Sequence, residues 1–175
     1  MNAFDLILRG TESQALTPNE IKKIARYDFN FHLYEQLISY KELRELFLNH
    51  DTGEYKEAAV ILYQESRYSG HYVCLIKRED SYEFFDSFGL KPDEELQYAH
   101  YISTPYLRNL IDNERVTYNT VKLQQNKSSI STCGRYAGVR IAMRELSLPE
   151  FHSFFRGSHM NPDKLVTLIT LLDKN

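Results

Sequence analysis

Three short apolar runs in the middle of the chain constrain the fold more than any other feature of the sequence. They cover residues 58–63, 72–77 and 82–85, are rich in Val, Ile, Tyr and Phe, and are separated by polar turns. Runs of this length and composition are typical of β-strands. Because the turns are short, neighbouring strands are expected to pair in the antiparallel sense. The sequence therefore predicts a sheet at the centre of the molecule.

Helix signals lie on both sides of these strands. The segment from Thr17 to Glu20 combines an N-cap hydroxyl, a proline at the first helical position and a glutamate at the third, and predicts a helix to about Tyr27. Further helices are predicted over 34–48, after Thr104-Pro105 and from Asn161-Pro162 through Leu172, with another strand over 116–123. We therefore expect an α+β fold with a mixed, mainly antiparallel central sheet flanked by helices.

Length and composition favour one domain over residues 1–175. Its expected parts are a helical N-terminal region (1–57), a core (58–146) and a C-terminal helix (147–175). The net charge of −3 gives no electrostatic reason to expect a nucleic-acid or membrane partner. Two cysteines form no disulfide framework, and neither a signal peptide nor a membrane-length apolar run is seen. We expect a soluble protein of a reducing compartment.

Cys133 lies at the start of a helical pattern. The apolar residues between Cys133 and Leu146 cover most of the circumference, which predicts a central, buried helix. Ser131 and Thr132 precede the cysteine, and either can cap this helix. The backbone amides and the dipole at a helix start favour a thiolate over a thiol. Cys133 is therefore a candidate nucleophile.

His71 and Asp86 are predicted to lie together on the sheet. If the turn between their strands centres on Glu79-Asp80, Val73 faces Asp86, and His71 becomes its diagonal neighbour, about 7 Å away at the backbone. A thiol, an imidazole and an orienting carboxylate are what nucleophilic acyl transfer requires. The amides at the helix start can stabilise the oxyanion, and either Gln124 or Gln125, just upstream of Cys133, would supply a second donor.

The remaining polar residues are given structural interpretations. Asp93-Glu94-Glu95 is interpreted as a solvated loop or helix start, and Arg135 and Arg140 are interpreted as surface residues of their helix. Cys74 is expected to pack in the core on the face opposite His71. The other histidines lack the spacing of metal ligands, so neither a metal nor an organic cofactor is expected.

Four segments occur in an order that resembles the adenovirus-type and SUMO/ubiquitin-like-protein protease clan. Their residues are similar to those of the maturation proteases of adenoviruses, large DNA viruses and especially virophages. The segments are Gly70-His71-Tyr72, Phe85-Asp86-Ser87-Phe88-Gly89, Leu123-Gln124-Gln125 and Thr132-Cys133-Gly134-Arg135. The resemblance implies a papain-like, adenain-like fold without metal or cofactor.

The resemblance also implies a role for each site residue. Cys133 would be the nucleophile, His71 the general base and then acid, and Asp86 the orienting carboxylate. Leu-Gln ahead of Thr-Cys-Gly favours Gln124 as the oxyanion donor, as in virus-encoded relatives, whereas the Gln-Gln-Asn run favours Gln125, as in SUMO proteases.

The implied function is that of a cysteine endopeptidase, a thiol protease of virus maturation. Its substrates would be capsid or other virion proteins, cut beside small residues such as Gly in the host-cell cytoplasm, at the viral factory, and then in the virion. The alternatives are an isopeptidase that removes ubiquitin-like modifiers, an acyl transferase, and a catalytically silent binding module on the same fold. The oligomeric state and the need for a peptide or nucleic-acid activator are left open.

Overall fold

The computed structural model describes residues 2–65, 70–98 and 103–172. Within these residues the central sheet has five strands in the order β1-β2-β3-β4-β5. The outer pairs, β1 with β2 and β4 with β5, are parallel, and the inner pairs are antiparallel. The strands are β1 Asn30–Leu33, β2 Ala58–Gln64, β3 Gly70–Lys77, β4 Tyr82–Phe85 and β5 Val116–Tyr118. The expected α+β fold with a mixed sheet is confirmed.

Six α-helices accompany the sheet in the described residues. They are α1 Ala3–Glu12, α2 Pro18–Ala25, α3 Tyr106–Ile111, α4 Cys133–Ala142, α5 Leu148–Arg156 and α6 Pro162–Leu172. The predicted start of α2 is confirmed: Thr17 N donates to the Glu20 carboxylate (2.8 Å), and Glu20 N donates to the Thr17 hydroxyl (3.3 Å). In the described ranges, no helix combines the length and apolar character needed to cross a bilayer.

The predicted helix over 34–48 is wrong. Two short 3-10 helices, Tyr34–Ser39 and Leu43–Phe47, take its place. Between them Tyr40 is extended, and the Glu45 carboxylate accepts hydrogen bonds from the backbone N–H groups of Lys41 and Glu42, both at 2.8 Å. A side chain that binds these amides competes with the helical hydrogen bonds that they would otherwise donate, so the helix is interrupted.

The predicted strand over 116–123 ends earlier, at Tyr118. There the side chain of Asn119 forms a local turn, because its Oδ1 atom accepts a hydrogen bond from Val121 N at 3.0 Å. The sequence did not predict strand β1 or helix α5. The N-terminal region, expected to be helical, contributes a strand, and 147–172 holds two helices where one was expected. Met1 and 173–175, the ends of the expected terminal segments, lie outside the described residues.

Two hydrophobic clusters fill the opposite faces of the sheet. Successive residues of β3 alternate between them, so Tyr72 and Cys74 face α2 and α4, whereas Val73 lies on the other face. Cys74 is fully buried, which raises the pKa of its thiol and confirms its expected place in the core. Because His71 is one residue before Tyr72, its position on the strand is on the face opposite Cys74.

Helix α4 is buried on all sides. Gly138 lies against α2, where a Cβ atom would be only 2.8 Å from Ile24 Cγ2, so glycine permits the close approach of the two helices. The interpretation of Arg135 and Arg140 as surface residues is wrong, because both are fully buried. Arg140 Nε donates to Glu83 at 2.7 Å, and Arg135 donates to the hydroxyl of Thr170 on α6. Burial of both faces fixes α4 between α2 and the central strand β3.

Candidate active site

His71 and Asp86 meet at the end of the β3–β4 hairpin. The predicted register is confirmed, since Cys74 pairs with Phe85 and Lys77 with Tyr82. His71 Nε2 lies 3.0 Å from Asp86 Oδ1, and both side chains are buried. The diagonal arrangement expected from the sequence therefore brings the imidazole and the carboxylate into direct hydrogen-bond contact.

The surroundings hold this pair in one geometry. Asp86 Oδ1 also accepts a hydrogen bond from Phe88 N at 2.7 Å, and the Phe88 ring stacks on the imidazole of His71, with ring centroids 4.6 Å apart. The side chain of Asn119 donates to the backbone oxygen of Asp86. Sequence reasoning missed Phe88 and Asn119 as supporting residues. For Phe88 the sequence held a signal, the Asp-Ser-Phe turn, because an aspartate side chain commonly accepts a hydrogen bond from the backbone amide two residues further on.

The sulfur of Cys133 affects the pKa of the same imidazole. Burial by itself would lower the pKa of His71, but the Asp86 carboxylate and then the Cys133 sulfur raise it well above its usual range. Because Nε2 is engaged by Asp86, Nδ1 is the nitrogen that can exchange a proton with the thiol. The arrangement can therefore hold a thiolate beside an imidazolium.

The expected side-chain cap of α4 is wrong. Thr132 precedes the helix, but its hydroxyl donates to Asp163 Oδ1 at 2.7 Å and makes no capping hydrogen bond, while Ser131 N donates to Glu12 O. The first intrahelical bond is Tyr136 N to Thr132 O. The amides that precede it, from Cys133 onward, have no intrahelical acceptor, so the start of α4 can donate to an anion.

The structure brings Gln124, and not Gln125, to the cavity that contains Cys133. Gln124 is buried, and its Oε1 atom accepts a hydrogen bond from the Ser87 hydroxyl at 2.7 Å. This bond uses the acceptor end of the amide and leaves the donor end available. Gln125 is absent from the described cavity wall, and its backbone N donates to Asp163 Oδ2 at 2.9 Å.

A cavity of about 720 Å³ joins these residues. Its wall includes His71, Gln124 and Cys133, together with the aromatic ring of Tyr72. Burial and the neighbouring Cys133 raise the pKa of Tyr72 to about 12, so this side chain stays neutral. Charged residues also line the wall, namely Glu65, Glu95, Lys122 and Lys127. A cavity of this size can admit an extended segment of polypeptide beside the thiol.

The interpretation of Asp93-Glu94-Glu95 as a helix start is confirmed, because a 3-10 helix, Glu94–Tyr98, begins here. Its interpretation as solvated is wrong for two of the three residues. Glu94 is exposed, but Asp93 and Glu95 are buried. Glu95 Oε1 lies 3.9 Å from His71 Nε2. Burial raises the pKa of Glu95 to about 7; His71 opposes this shift, and the carboxylates of Asp86 and Glu65 add to it.

His71, Asp86 and Glu95 are also residue types that bind metals. Among the described residues they form one group whose ligand atoms lie within 4.8 Å of one another. The hydrogen bond to Asp86 already engages His71 Nε2, so we interpret the group as a hydrogen-bonded cluster.

The fold and the site together define an α+β protein in which a thiol, an imidazole and a carboxylate meet at one cavity. No protein-family model matches the chain. It is 34% identical over 178 residues to uncharacterized protein V9 of Sputnik virophage, an alignment that covers 94% of this chain and 98% of that protein. The chain belongs to the family of this virophage protein.

Two solved structures are similar to the chain at a lower level. One is the crystal structure of the ASFV pS273R protease, with a TM-score of 0.49 and 14% identity, which covers 91% of this chain and 67% of that one. The other is the selenomethionine form of the same protease, with a TM-score of 0.44, 15% identity and coverage of 91% and 66%. The chain spans about two thirds of the length of that protease.

Proposed function

We propose that the protein is a cysteine endopeptidase in which Cys133, His71 and Asp86 form the catalytic triad. One observation carries this proposal: a single buried imidazole is hydrogen-bonded at Nε2 by Asp86 and lines the same cavity as Cys133. A histidine with a purely structural role needs a hydrogen-bond partner, but it does not need a neighbouring thiol at a helix start beside an open cavity. Gln124 is the proposed oxyanion donor, because it shares the cavity wall with Cys133.

The proposed reaction begins with proton transfer from the Cys133 thiol to His71 Nδ1. The thiolate attacks the carbonyl carbon of the substrate, and the side-chain amide of Gln124 and the first amides of α4 stabilise the oxyanion. His71 then gives the proton to the leaving amine as the C–N bond breaks, which leaves a thioester on Cys133. His71 next takes a proton from water, the resulting hydroxide attacks the thioester, and the proton returns to the departing sulfur.

The whole chain is proposed to act as one catalytic domain on capsid or other virion proteins. Membership of a virophage protein family supports a viral role, and the resemblance to virus maturation proteases supports virion substrates cut beside glycine. On this proposal the enzyme acts in the viral factory of the host cell and in the particle.

Alkylation of the native protein by iodoacetamide between about pH 5 and 9 tests the nucleophile. Cys133 is expected to react fast even in the acidic half of this range, because His71 can take its proton, and His71→Ala should abolish this fast phase. Cys74 is fully buried and serves as an internal control for intact folding. Labelling of Cys133 that follows an ordinary thiol with or without His71 would contradict the triad.

Cleavage assays then test the substrate class. Purified virion proteins are expected to be cut next to glycine by the native protein and left intact by Cys133→Ala. Cleavage of a ubiquitin-like C-terminal amide, without cleavage of virion proteins, would replace the endopeptidase proposal by an isopeptidase. Absence of cleavage together with an unreactive Cys133 would favour a binding module.

A further inference from the structure

Two carboxylate oxygens next to His71 lack hydrogen-bond partners. Asp86 Oδ2 and Glu95 Oε1 are both buried, and among the described residues neither has a partner. Glu95 Oε1 lies 3.9 Å from His71 Nε2. A buried carboxylate oxygen without a partner costs free energy, and it is uncommon in a folded protein. Two such atoms around one imidazole therefore call for a physical explanation.

The fold holds Glu95 in this position through Asp93. The Asp93 backbone is left-handed (φ +68°), and its carboxylate accepts hydrogen bonds from the Tyr63 hydroxyl at 2.9 Å and from Arg108 N at 2.7 Å. These bonds tie the segment of Glu95 to β2 and α3. Glu95 therefore faces His71 because its backbone is anchored on two sides.

The charges around Glu95 do not balance when every group is ionised. Among the described residues, the charged groups that face it are His71 on β3, Asp86 after β4 and Glu65 after β2. One imidazolium stands against the two buried carboxylates of Asp86 and Glu95, and Glu65 adds a further negative charge. Protonation of Glu95 would remove this excess negative charge.

We propose that Glu95 is a positioning residue of the candidate triad, which is neutral in its acid form and stabilises the His71 imidazolium in its ionised form. This inference rests on the proposed function. Glu95 belongs to the cavity wall, but its Oε1 atom is sealed from solvent and lies against His71, so we assign this oxygen an effect on the imidazole.

The two forms of Glu95 have opposite effects on His71. Protonated Glu95 carries no charge, which leaves Asp86 as the one buried carboxylate next to the ring that holds the proton on His71. Ionised Glu95 places a second negative charge near the ring, and an opposite charge at this distance favours the imidazolium. Because the pKa of Glu95 is raised to about 7, the change occurs near neutral pH. The thiolate–imidazolium pair is therefore strengthened as the pH rises through about 7.

The test is the pH titration of the His71 ring in the native chain, followed by NMR, with the signal assigned through His71→Ala. The wild-type ring is expected to sense two coupled steps, one of them near pH 7. Glu95→Gln should remove that step and lower the pH at which the imidazolium is lost by about one unit or more. Glu95→Asp, which keeps the charge, should restore part of the shift.

Glu94→Gln is the matched control, because it removes an exposed carboxylate from the neighbouring position. An unchanged titration in Glu95→Gln, or an equal shift in Glu94→Gln, would overturn the role of Glu95. The proposed function is tested separately by the dependence of Cys133 alkylation on His71. If alkylation depends on His71 while Glu95→Gln leaves the titration unchanged, this inference fails and the triad stands.

Discussion

The hydroxyl of Thr132 donates a 2.7 Å hydrogen bond to Asp163 Oδ1, and the other oxygen of this carboxylate accepts a 2.9 Å bond from Gln125 N. One buried side chain on α6 thus holds both ends of the segment between these residues. Gln124 and Cys133 flank the segment directly, so Asp163 sets the distance between the candidate oxyanion donor and the candidate nucleophile.

Asp163→Ala is expected to lower both stability and the reactivity of Cys133. The change leaves the Thr132 hydroxyl and the Gln125 amide without their acceptor, which should reduce the free energy of unfolding by about 1–3 kcal/mol. Urea unfolding and the alkylation rate of Cys133 measure the two effects. The exposed Asp112 supplies the control, since Asp112→Ala should change stability by less than about 0.5 kcal/mol. Equal behaviour of the two variants would contradict the role of Asp163.

The sequence was sufficient for the parts of the site that depend on local register. His71 and Asp86 lie on strands joined by one short turn, so the pairing of the hairpin decides their distance. The partners of Gln124 and Thr132 are different, because they come from residues 37 and 31 positions away in the sequence. No periodicity in the sequence encodes such contacts; they follow from how the helices pack on the finished sheet.

The same distinction, between local register and distant contacts, explains the predictions that were wrong. Asp93 and Glu95 belong to an acidic run whose composition is typical of a solvated segment. Asp93 is nevertheless buried, because its carboxylate accepts a hydrogen bond from the hydroxyl of Tyr63 on β2. On an isolated helix, Arg140 would be expected at the surface. Its burial depends on strand β4, where Glu83 accepts its hydrogen bond. Local propensity was overridden by tertiary contacts at these positions.

Gln124→Ala is expected to reduce kcat about 10²–10³-fold with little change in KM, because the amide would act mainly on the charge of the transition state. Gln125→Ala should leave kcat nearly unchanged, since this side chain does not line the described cavity. Steady-state kinetics on a cleaved virion protein, or on a peptide derived from its cleavage site, would measure both. A larger loss in Gln125→Ala than in Gln124→Ala would reverse the assignment.

Gly138→Ala and Gly10→Ala are expected to change stability in opposite directions. A Cβ at Gly138 would lie 2.8 Å from Ile24 Cγ2 and 3.3 Å from a backbone oxygen, so alanine forces α2 and α4 apart and should cost about 1–3 kcal/mol. A Cβ at Gly10, inside α1, meets nothing within 4 Å, and alanine there should stabilise the protein by about 0.5–1 kcal/mol. Thermal unfolding of the two variants measures the difference. Destabilisation by both would show that the contact with Ile24 is not what separates them.

Glu95→Gln is expected to stabilise the protein at neutral pH but not in acid. The pKa of Glu95 is about 7 in the folded protein, against an ordinary value of 4.5. Between these values the folded protein holds a proton that the unfolded chain has released, so the contribution of Glu95 to stability falls as the pH rises from about 4.5 to 7. The loss is about 3 kcal/mol for the wild type, and the glutamine variant does not undergo it. Urea unfolding of both proteins at pH values below, within and above this window should give curves that coincide in acid and diverge towards neutral pH. Glu94→Gln should run parallel to the wild type, and parallel curves for Glu95→Gln as well would mean that Glu95 titrates like an exposed carboxylate.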